Sequence, residues 1–438
     1  MLGNLEIVSG LERRLTFSVS AAEVDTAVAS RLKVIAKTAK LPGFRPGKVP
    51  QKILQQQYGF HVRQEALSQS LQKSFGEAVQ QSGVRIAGDP AFEPVVAEGT
   101  AQPSEFAFTA VFEVYPEVKV GDLAGRTFER LSLEVSDADV NKTIETMREQ
   151  SATYEPVLRA GEATDRLTIS YVGKVDGEAF AGGTAENQTM ILAKGRMLPE
   201  FETQLMGASA GQSLTFDLQF PDDYHGKEVA GKKAQFEVTV SEVAAAQLPA
   251  LDEAFAKAQG VVEGGIDKLL QEVRKNLESE VKFRLQSQMK TQVMDALIEV
   301  TPVEVPKALV DSELEILEKE TRQGLIERGI PNQENMPIPR DIFEPKAKRR
   351  VMLGLILAEV TRHESLQPAA DQVRAHVTQM AQSYENPDEV VSWVYSQPDQ
   401  LRQVEMILLE ENVVTWAQGK GQTVDKIMTF DELMGYKK

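Results

Sequence analysis

A regular apolar repeat from Leu269 to Leu297 constrains the fold of this chain more than any other feature. An apolar side chain stands at every fourth position: Leu269, Val273, Leu277, Val281, Leu285, Met289, Val293 and Leu297. An α-helix has 3.6 residues per turn, so each step of four residues advances about 40° beyond a full turn. The apolar stripe therefore winds around the helix and cannot face one partner along its whole length. We predict a single long helix of the kind that builds an extended arm rather than a compact bundle.

The residues before this helix follow a different apolar period. Apolar and polar side chains alternate in three stretches, at 167–171, 214–220 and 236–240. Alternation of this kind is typical of strands with one buried face. Asp176-Gly177, between two strand candidates, is a hairpin signal. The region predicts a small antiparallel β domain.

The N-terminal part of the chain combines both periods. Alternation at 15–19 and 106–114 predicts strands, whereas 21–40 and 53–81 have the spacing of helices. We expect Gly59 to interrupt the second helix. This part is predicted to be an α+β head.

A chain of 438 residues is too long for one hydrophobic core, and the changes of period predict a multidomain α+β protein. The expected segments are a head at 1–115, a connector at 116–154, the β domain at 155–245 and an all-α domain with extended arms at 246–438. Within the connector, the sequence SDAD is a good N-cap for a helix that starts near Ser136. Further helices are predicted at 306–328, 340–364, 369–384 and 401–418.

Charge is distributed unevenly along the chain. The formal net charge of −17 argues against general nucleic-acid binding. Between Thr26 and Gln64, however, there are eight Lys or Arg residues and no Asp or Glu, so the remaining chain carries −25. A basic patch on an acidic body lets one end approach a polyanion while the remainder is repelled.

Several classes of site have no support in the sequence. There is no cysteine, which excludes disulfides and thiolate chemistry. The four histidines lack ligand spacing, no nucleotide fingerprint is present, and Asp222-Asp223 is interpreted as a solvated turn. We expect no metal, no cofactor and no nucleotide. The longest apolar run, 351–358, is too short to span a bilayer, and the N-terminus does not resemble a signal peptide, so no membrane association is expected.

The segment LPGFRPGKVP, residues 41–50, is the strongest candidate for a binding loop. Its prolines break helix continuity and favour extended backbone. We expect a stiff loop between two helices with Phe44, Arg45 and Lys48 at its tip, able to bind with little loss of entropy. Arg makes forked contacts with carboxylate or phosphate, and Phe fills a pocket or stacks. The alternative is an ordinary solvated turn with Phe44 tucked into the core.

GFRPGKVP matches the GFRxGKxP ribosome-docking signature of bacterial trigger factors, and the resemblance extends over the whole chain. It implies that Phe44, Arg45 and Lys48 contact a ribosomal protein and large-subunit ribosomal RNA at the exit of the polypeptide tunnel. Pro46 stands where a basic residue is common, which removes one phosphate contact. The resemblance also implies a cytoplasmic chaperone that binds nascent and unfolded polypeptides, and it leaves open a homodimer off the ribosome.

The middle domain resembles FKBP-type peptidyl-prolyl isomerases, which have an antiparallel sheet and a short helix. The motifs are VDGEAF at 175–180, GRMLPEFE at 195–202 and FPDDYHG at 220–226. The resemblance implies a pocket lined by Tyr171, Phe180, Met190, Met197, Leu198, Phe201, Tyr224 and Phe236. Met190 stands at a position of the pocket wall that is often Phe in this family, and Ala181 stands at a position that is usually acidic. These two departures imply reduced isomerase activity. The alternative is that these aromatics are only the core of a small β domain.

The helical C-terminal region carries apolar residues among charges, and adaptable Met side chains suit varied partners. The candidates for contact with unfolded chains are Met294, Leu297, Ile298, Met352, Leu355 and Ile356. For any one of them, a place in the intramolecular core is the alternative.

The resemblance thus implies an ATP-independent, ribosome-associated chaperone that also isomerises X–Pro bonds. Two rival interpretations stay open. One is a free prolyl isomerase whose flanking domains recruit substrates. The other is a chaperone whose FKBP-like domain is only a peptide clamp, which the Ala181 and Met190 departures leave open.

Overall fold

The computed structural model describes residues 4–38, 44, 49–95, 105–195, 197–224, 226–329, 338–382, 384 and 386–436. The strands are β1 (Asn4–Ser9), β2 (Glu12–Ser20), β3 (Ile86–Pro94), β4 (Glu105–Val114), β5 (Thr127–Ser132), β6 (Thr153–Pro156), β7 (Arg166–Val175), β8 (Glu178–Ile191), β9 (Ser213–Gln219), β10 (Lys233–Gln247) and β11 (Gln422–Ile427). The helices are α1 (Ala21–Thr38), α2 (Gln51–Ser82), α3 (Asp137–Gln150), α4 (Pro199–Leu205), α5 (Glu253–Ala258), α6 (Gly265–Val300), α7 (Lys307–Glu327), α8 (Arg340–Glu364), α9 (Ala370–Ala381), α10 (Pro387–Ser396), α11 (Pro398–Lys420) and α12 (Phe430–Met434).

The chain divides into two compact units. One contains Met1–Arg130 and Ser287–Asp425, and the other contains Leu131–Gln286 and Lys426–Lys438. One border falls inside the predicted connector and another inside α6, so the predicted segment boundaries stay predictions. The fold class is confirmed: the protein is a multidomain α+β chain with antiparallel sheets and a helical C-terminal region.

The head is a four-stranded antiparallel sheet in the order β1-β2-β4-β3. Its core is aromatic, with the Phe75 ring edge-on to Phe92 at 5.1 Å and to Phe112 at 5.5 Å. α2 differs from the prediction because it runs without a break through Gly59. One glycine in a helix interior costs only about 1 kcal/mol, and burial of Leu54 and Val62 on either side of Gly59 holds the helix together.

The helical hairpin of the head has a small core of its own, apart from the sheet. Leu32 of α1 packs with Val49, Leu54 and Val62, and Tyr58 covers the cluster. We call this part of the hairpin the stem, residues 28–38 and 49–63. The stem holds the two ends of the predicted binding loop.

The β domain is a five-stranded antiparallel sheet with β10 at its centre, paired to β6, β7 and β9, while β8 pairs with β7. The predicted hairpin at Asp176-Gly177 is confirmed between β7 and β8. Both residues have positive φ, 53° and 86°, as a two-residue type I′ turn requires. The core packs α4 onto this sheet through Phe201 and Leu205.

The predicted long helix is confirmed as α6, and its winding stripe meets different neighbours along its length. In one unit, Leu269 and Val273 pack with α3 and α5, and Val281 packs with α12. In the other unit, Val293 and Leu297 pack with α8 and α11. The predicted helices at 306–328, 340–364, 369–384 and 401–418 appear as α7, α8, α9 and α11, whereas α10 was not predicted.

Candidate functional site

An apolar cavity of about 320 Å³ opens on the β domain where α4 crosses the sheet. Its lining consists of Tyr171, Phe180, Gly182, Met197, Leu198, Pro199, Phe201, Leu218, Phe220, Tyr224 and Phe236. Aromatic side chains form most of the wall. A hydrophobic segment of a few residues would lose water from its backbone on entering such a space.

Seven of the eight residues predicted for the pocket are in this lining, and Met190 is not. Met190 pairs across the sheet with Leu167 and is buried to 4% exposure in the core of the domain. It therefore packs the core rather than the wall of the cavity. The side chain of Ala181 lies outside the described part of the structure.

Phe236, on the central strand β10, is the floor of the cavity. Its ring lies edge-on to Phe201 at 5.3 Å and edge-on to Phe180 at 6.2 Å between centroids. Phe220 and Tyr171 are within ring contact on two further sides. Edge-to-face packing fixes the orientation of aromatic rings, so the cavity has a preformed wall.

Two strand glycines leave room for the Phe180 ring. A Cβ on Gly183 would come within 2.8 Å of the ring, and a Cβ on Gly173 would come within 2.9 Å of Phe180 and 2.6 Å of Phe236. Any other residue at these positions would push the ring into the cavity or away from it. Neither glycine was predicted as a site residue from the sequence, and neither were Leu218, Pro199 and Phe220.

The loop before α4 is held by a buried carboxylate. Glu202 is 6% exposed, and its oxygens accept hydrogen bonds from the backbone N–H groups of Met197 at 3.1 Å and Gly195 at 3.3 Å. A buried charge is costly unless it is hydrogen-bonded, which these two donors achieve. Glu202 thus fixes the backbone from which Met197 and Leu198 reach the cavity, and sequence analysis did not identify it.

Tyr171 keeps its proton over a wide pH range. Burial raises the pKa of its hydroxyl, and the neighbouring Tyr224 raises the pKa further. The hydroxyl is therefore a neutral group near neutral pH, able to donate a hydrogen bond to a peptide carbonyl. No side chain in this lining is a strong nucleophile, so the wall can bind and desolvate but does not form a covalent bond.

The start of β7 is anchored at the edge of the same domain. Asp165 is buried and accepts hydrogen bonds from Arg159 at 2.5 and 3.1 Å and from the backbone N–H of Glu162 at 2.8 Å. Burial opposes ionisation of Asp165, but the bonds from Arg159 and Glu162 outweigh it and lower the pKa of the carboxyl below its ordinary value. The ion pair therefore holds the loop that precedes Tyr171.

The predicted binding loop falls mostly outside the described residues. Arg45 and Lys48 are among those left out, whereas Phe44 is described and is 38% exposed. Val49, near the C-terminal end of the loop, is buried in the stem core. The exposure of Phe44 differs from the alternative in which its ring is tucked into the core.

The residues predicted to contact unfolded chains lie in or against a core cluster. Met294, Leu297 and Ile356 are buried in it, Ile298 and Met352 pack against it, and Leu355 is half-buried. For the three buried residues this differs from the surface exposure that the prediction requires. The reason is that α6, α8 and α11 pack these faces on one another.

An exposed apolar patch lies elsewhere in the helical region, where sequence analysis placed no site. Its members are Met380, Tyr384, Trp393, Tyr395, Met406 and Ile407, all exposed. The helices that carry or adjoin these residues, α9, α10 and α11, share a small core that includes Val377, Val394 and Leu408. Among described residues, no helix is long and apolar enough to cross a membrane.

Comparison with known proteins assigns each part of the chain. Residues 1–147 match the family model described as bacterial trigger factor protein, 265–418 match the trigger factor C-terminus, and 159–241 match FKBP-type peptidyl-prolyl cis-trans isomerase. A trigger factor of Nitrosospira multiformis is 48% identical over 99% of this chain and 100% of its own length. A trigger factor of Azoarcus sp. strain BH72 is 48% identical over 97% of this chain and 96% of its own.

A solved trigger factor chaperone aligns with 95% of this chain and 99% of its own at 18% identity, with a TM-score of 0.44. The sequence relatives and the family models account for almost every residue from the head to the C-terminal helices. The chain therefore belongs to the trigger factor family of ribosome-associated chaperones and carries an FKBP-type peptidyl-prolyl isomerase domain.

Proposed function

We propose that the aromatic cavity of the β domain is where this chaperone isomerises X–Pro bonds, without ATP. The observation that carries the proposal is the preformed wall of Phe236, Phe201, Phe180 and Tyr171 around a 320 Å³ space. This wall supports the pocket-lining role implied for seven of the eight predicted residues. Met190 instead packs the core of the domain.

The chemistry requires no nucleophile. Rotation about an amide bond has a barrier of about 18–20 kcal/mol because the C–N bond is partly double, and X–Pro bonds exchange slowly between two accessible isomers. Resonance makes the planar amide more polar than the twisted one. A water-free aromatic wall therefore favours the twisted form, while the Tyr171 hydroxyl offers one hydrogen bond at the rim.

The isomerase site is tested on the full chain with a proline-containing peptide, by NMR exchange between its cis and trans signals. Phe180→Leu and Leu198→Ala should each lower kcat/KM about tenfold or more, because each removes part of the wall. Met190→Leu is the matched control: it conserves volume in the core, costs under about 1.5 kcal/mol, and should leave kcat/KM unchanged. If the wild-type chain does not accelerate exchange, the peptide clamp is the correct account.

We also propose that the loop at 41–50 docks the protein on the ribosome through Phe44, Arg45 and Lys48. Two observations support this proposal. Phe44 is exposed, and the sequence from Thr26 to Gln64 contains eight Lys or Arg residues and no Asp or Glu. Ribosome co-sedimentation of wild type against Phe44→Ala/Arg45→Ala tests it. Equal binding of the two proteins would make the loop structural and favour the free isomerase.

The finer partners belong to the same proposal. They are a ribosomal protein at the tunnel exit and large-subunit ribosomal RNA. The proposed compartment is the cytoplasm. Cross-linking from the loop identifies the first two. A homodimer off the ribosome is tested by sedimentation of the free protein over a range of concentrations.

We propose that unfolded clients bind the exposed patch on α9–α11 rather than the buried faces of α6 and α8. Trp393 and Met406 are exposed there, and adaptable Met and aromatic side chains suit varied sequences. Trp393→Ala/Met406→Ala should weaken binding of an unfolded, fluorescently labelled client about tenfold. Phe283→Ala, which removes an exposed ring from α6, is the control and should change little.

A further inference from the structure

We propose that the stem is itself a nucleic-acid contact, in which Lys33, Lys37 and Lys52 bind RNA phosphates and Phe60 stacks on an unpaired base. This inference rests on the ribosome docking proposed above and extends the docking surface from the loop along α1 and α2. The partner is an RNA backbone with an accessible base, recognised by charge and stacking.

The cations of the stem differ in whether they have a carboxylate partner. Arg31 pairs with Glu65 at 3.0 Å, and Arg63 lies 3.6 Å from Asp25, so both arginines already have carboxylate partners. Lys33, Lys37 and Lys52 are exposed and form no ion pair with any residue that the structure describes. Their charges are available to an external anion.

The sequence of the stem contains no acidic residue that would compete for these cations. From Thr26 to Gln64 the sequence contains no Asp or Glu, although the chain as a whole carries −17. Lys33 and Lys37 are four residues apart, on one face of α1, and Lys52 stands in the first turn of α2, after the loop. Phosphates therefore meet cations along the stem with no carboxylate of the stem to repel them.

The second helix of the stem carries an exposed aromatic ring. Phe60 is 72% exposed on α2, with its ring 5.9 Å from the His61 ring. The residues one turn away on either side are Gln56 and Gln64, which are polar and uncharged. Aromatic side chains beside cations are the usual platform for stacking single-stranded bases.

The surface of the stem is preformed. Leu32, Val49, Leu54 and Val62 are buried in the stem core, so the two helices hold their side chains at fixed positions before binding. A preformed surface loses less entropy on binding than a mobile one. An acidic protein surface is the rival occupant, but it offers Phe60 no base to stack on.

The salt dependence of ribosome binding tests the phosphate contacts on the full chain. Each phosphate contact that is lost should lower the slope of log K against log salt by about 0.7–0.9. Lys33→Gln/Lys37→Gln/Lys52→Gln should therefore lower the slope by about 2–3. Lys73→Gln is the control on the same helix, because Lys73 is 3.9 Å from Glu77, and it should leave the slope unchanged.

The stacking contact is tested by Phe60→Ala, which should weaken ribosome binding about tenfold with the salt slope unchanged. Ile7→Ala, which removes an exposed apolar side chain from β1, is the control. An unchanged slope in the triple lysine variant, or unchanged affinity in Phe60→Ala, overturns the inference.

Cross-linking tests whether the partner is RNA. Because the chain has no cysteine, a photo-cross-linker can be attached to a single introduced cysteine. A photo-cross-linker on Gln56→Cys should react with ribosomal RNA, and one on Gln69→Cys should not. Cross-links from position 56 to protein alone would overturn the RNA assignment. If wild type fails to bind ribosomes, the docking proposal itself fails; if only the loop variant Phe44→Ala/Arg45→Ala loses binding, docking stands and the stem inference falls.

Discussion

Phe180 owes its place in the cavity wall to the missing side chain of Gly183. A Cβ there would stand 2.8 Å from the ring, well inside normal contact, so Gly183→Ala must displace Phe180. We expect kcat/KM for the proline peptide to fall about tenfold, with overpacking costing about 1–3 kcal/mol of stability. The readout is the NMR exchange rate at several peptide concentrations.

Thr184→Ala is the control for this prediction, because Thr184 is the next residue on β8 and is exposed. It should leave both exchange and stability close to wild type. An active Gly183→Ala variant with wild-type KM would show that the position of the Phe180 ring does not matter for the reaction.

Glu202 positions the cavity loop through its two backbone hydrogen bonds. Glu202→Ala leaves two N–H groups without this acceptor, at a cost of about 1–3 kcal/mol each where they stay buried. Glu202→Gln keeps one acceptor oxygen and should lose less. We expect KM to rise more in the Ala variant than in the Gln variant, with kcat changed less than KM. Equal KM values in the two variants would contradict a positioning role.

Asp165 makes the β domain sensitive to acid. Its pKa in the folded protein is lowered below the ordinary value of 3.8, so its stabilising contribution is present above that value and is lost as the pH falls through the lowered pKa. Hydrogen exchange of the β7 amides should be faster in Asp165→Asn than in wild type at pH 6. After correction for intrinsic exchange, the two proteins should converge only as the pH falls through the lowered pKa of Asp165, and a constant difference would contradict this account.

At the same scale, the sequence predicted the residues whose chemistry is visible in a motif and missed those whose role is spatial. Tyr171, Phe201 and Phe236 lie in stretches that have a strand or helix pattern and that resemble FKBP-type isomerases. All three side chains line the cavity. Gly183 contributes only empty space, and Glu202 contributes through bonds to backbone atoms of another segment. Neither contribution produces a periodic pattern or a motif that could be recognised in the sequence.

At the scale of elements, α6 shows what a pattern can and cannot predict. Its four-residue repeat predicted both the helix and the change of neighbours along it, because the winding follows from 3.6 residues per turn. The repeat could not predict which helices supply those neighbours. That depends on contacts with α8 and α11, which are distant in sequence, and it explains why residues expected on a surface are buried.

Leu297 is the element-scale test. It is 0% exposed in the cluster that Trp416 packs against, so Leu297→Ala should destabilise this cluster by about 2–5 kcal/mol through lost burial and a cavity. Urea unfolding followed by tryptophan fluorescence measures the effect. Phe283→Ala on the same helix, where the ring is 67% exposed, should change stability by less than about 0.5 kcal/mol. Similar losses in the two variants would contradict the burial of Leu297.

At the scale of the whole molecule, the docking and isomerase sites depend on separate hydrophobic cores. The stem and the head sheet pack around Leu32 and Phe17, and the cavity packs around Phe236; among described residues the cavity cluster shares no member with either of the other two. Mutations at independent sites with no shared partners usually add. We therefore expect Phe44→Ala/Arg45→Ala to reduce ribosome co-sedimentation with kcat/KM unchanged, and Phe180→Leu to do the reverse. The combined variant should show both losses at their single-variant sizes. If Phe44→Ala/Arg45→Ala lowers kcat/KM in the absence of ribosomes, the loop also contributes to the isomerase site. That result would contradict the separation of the two activities.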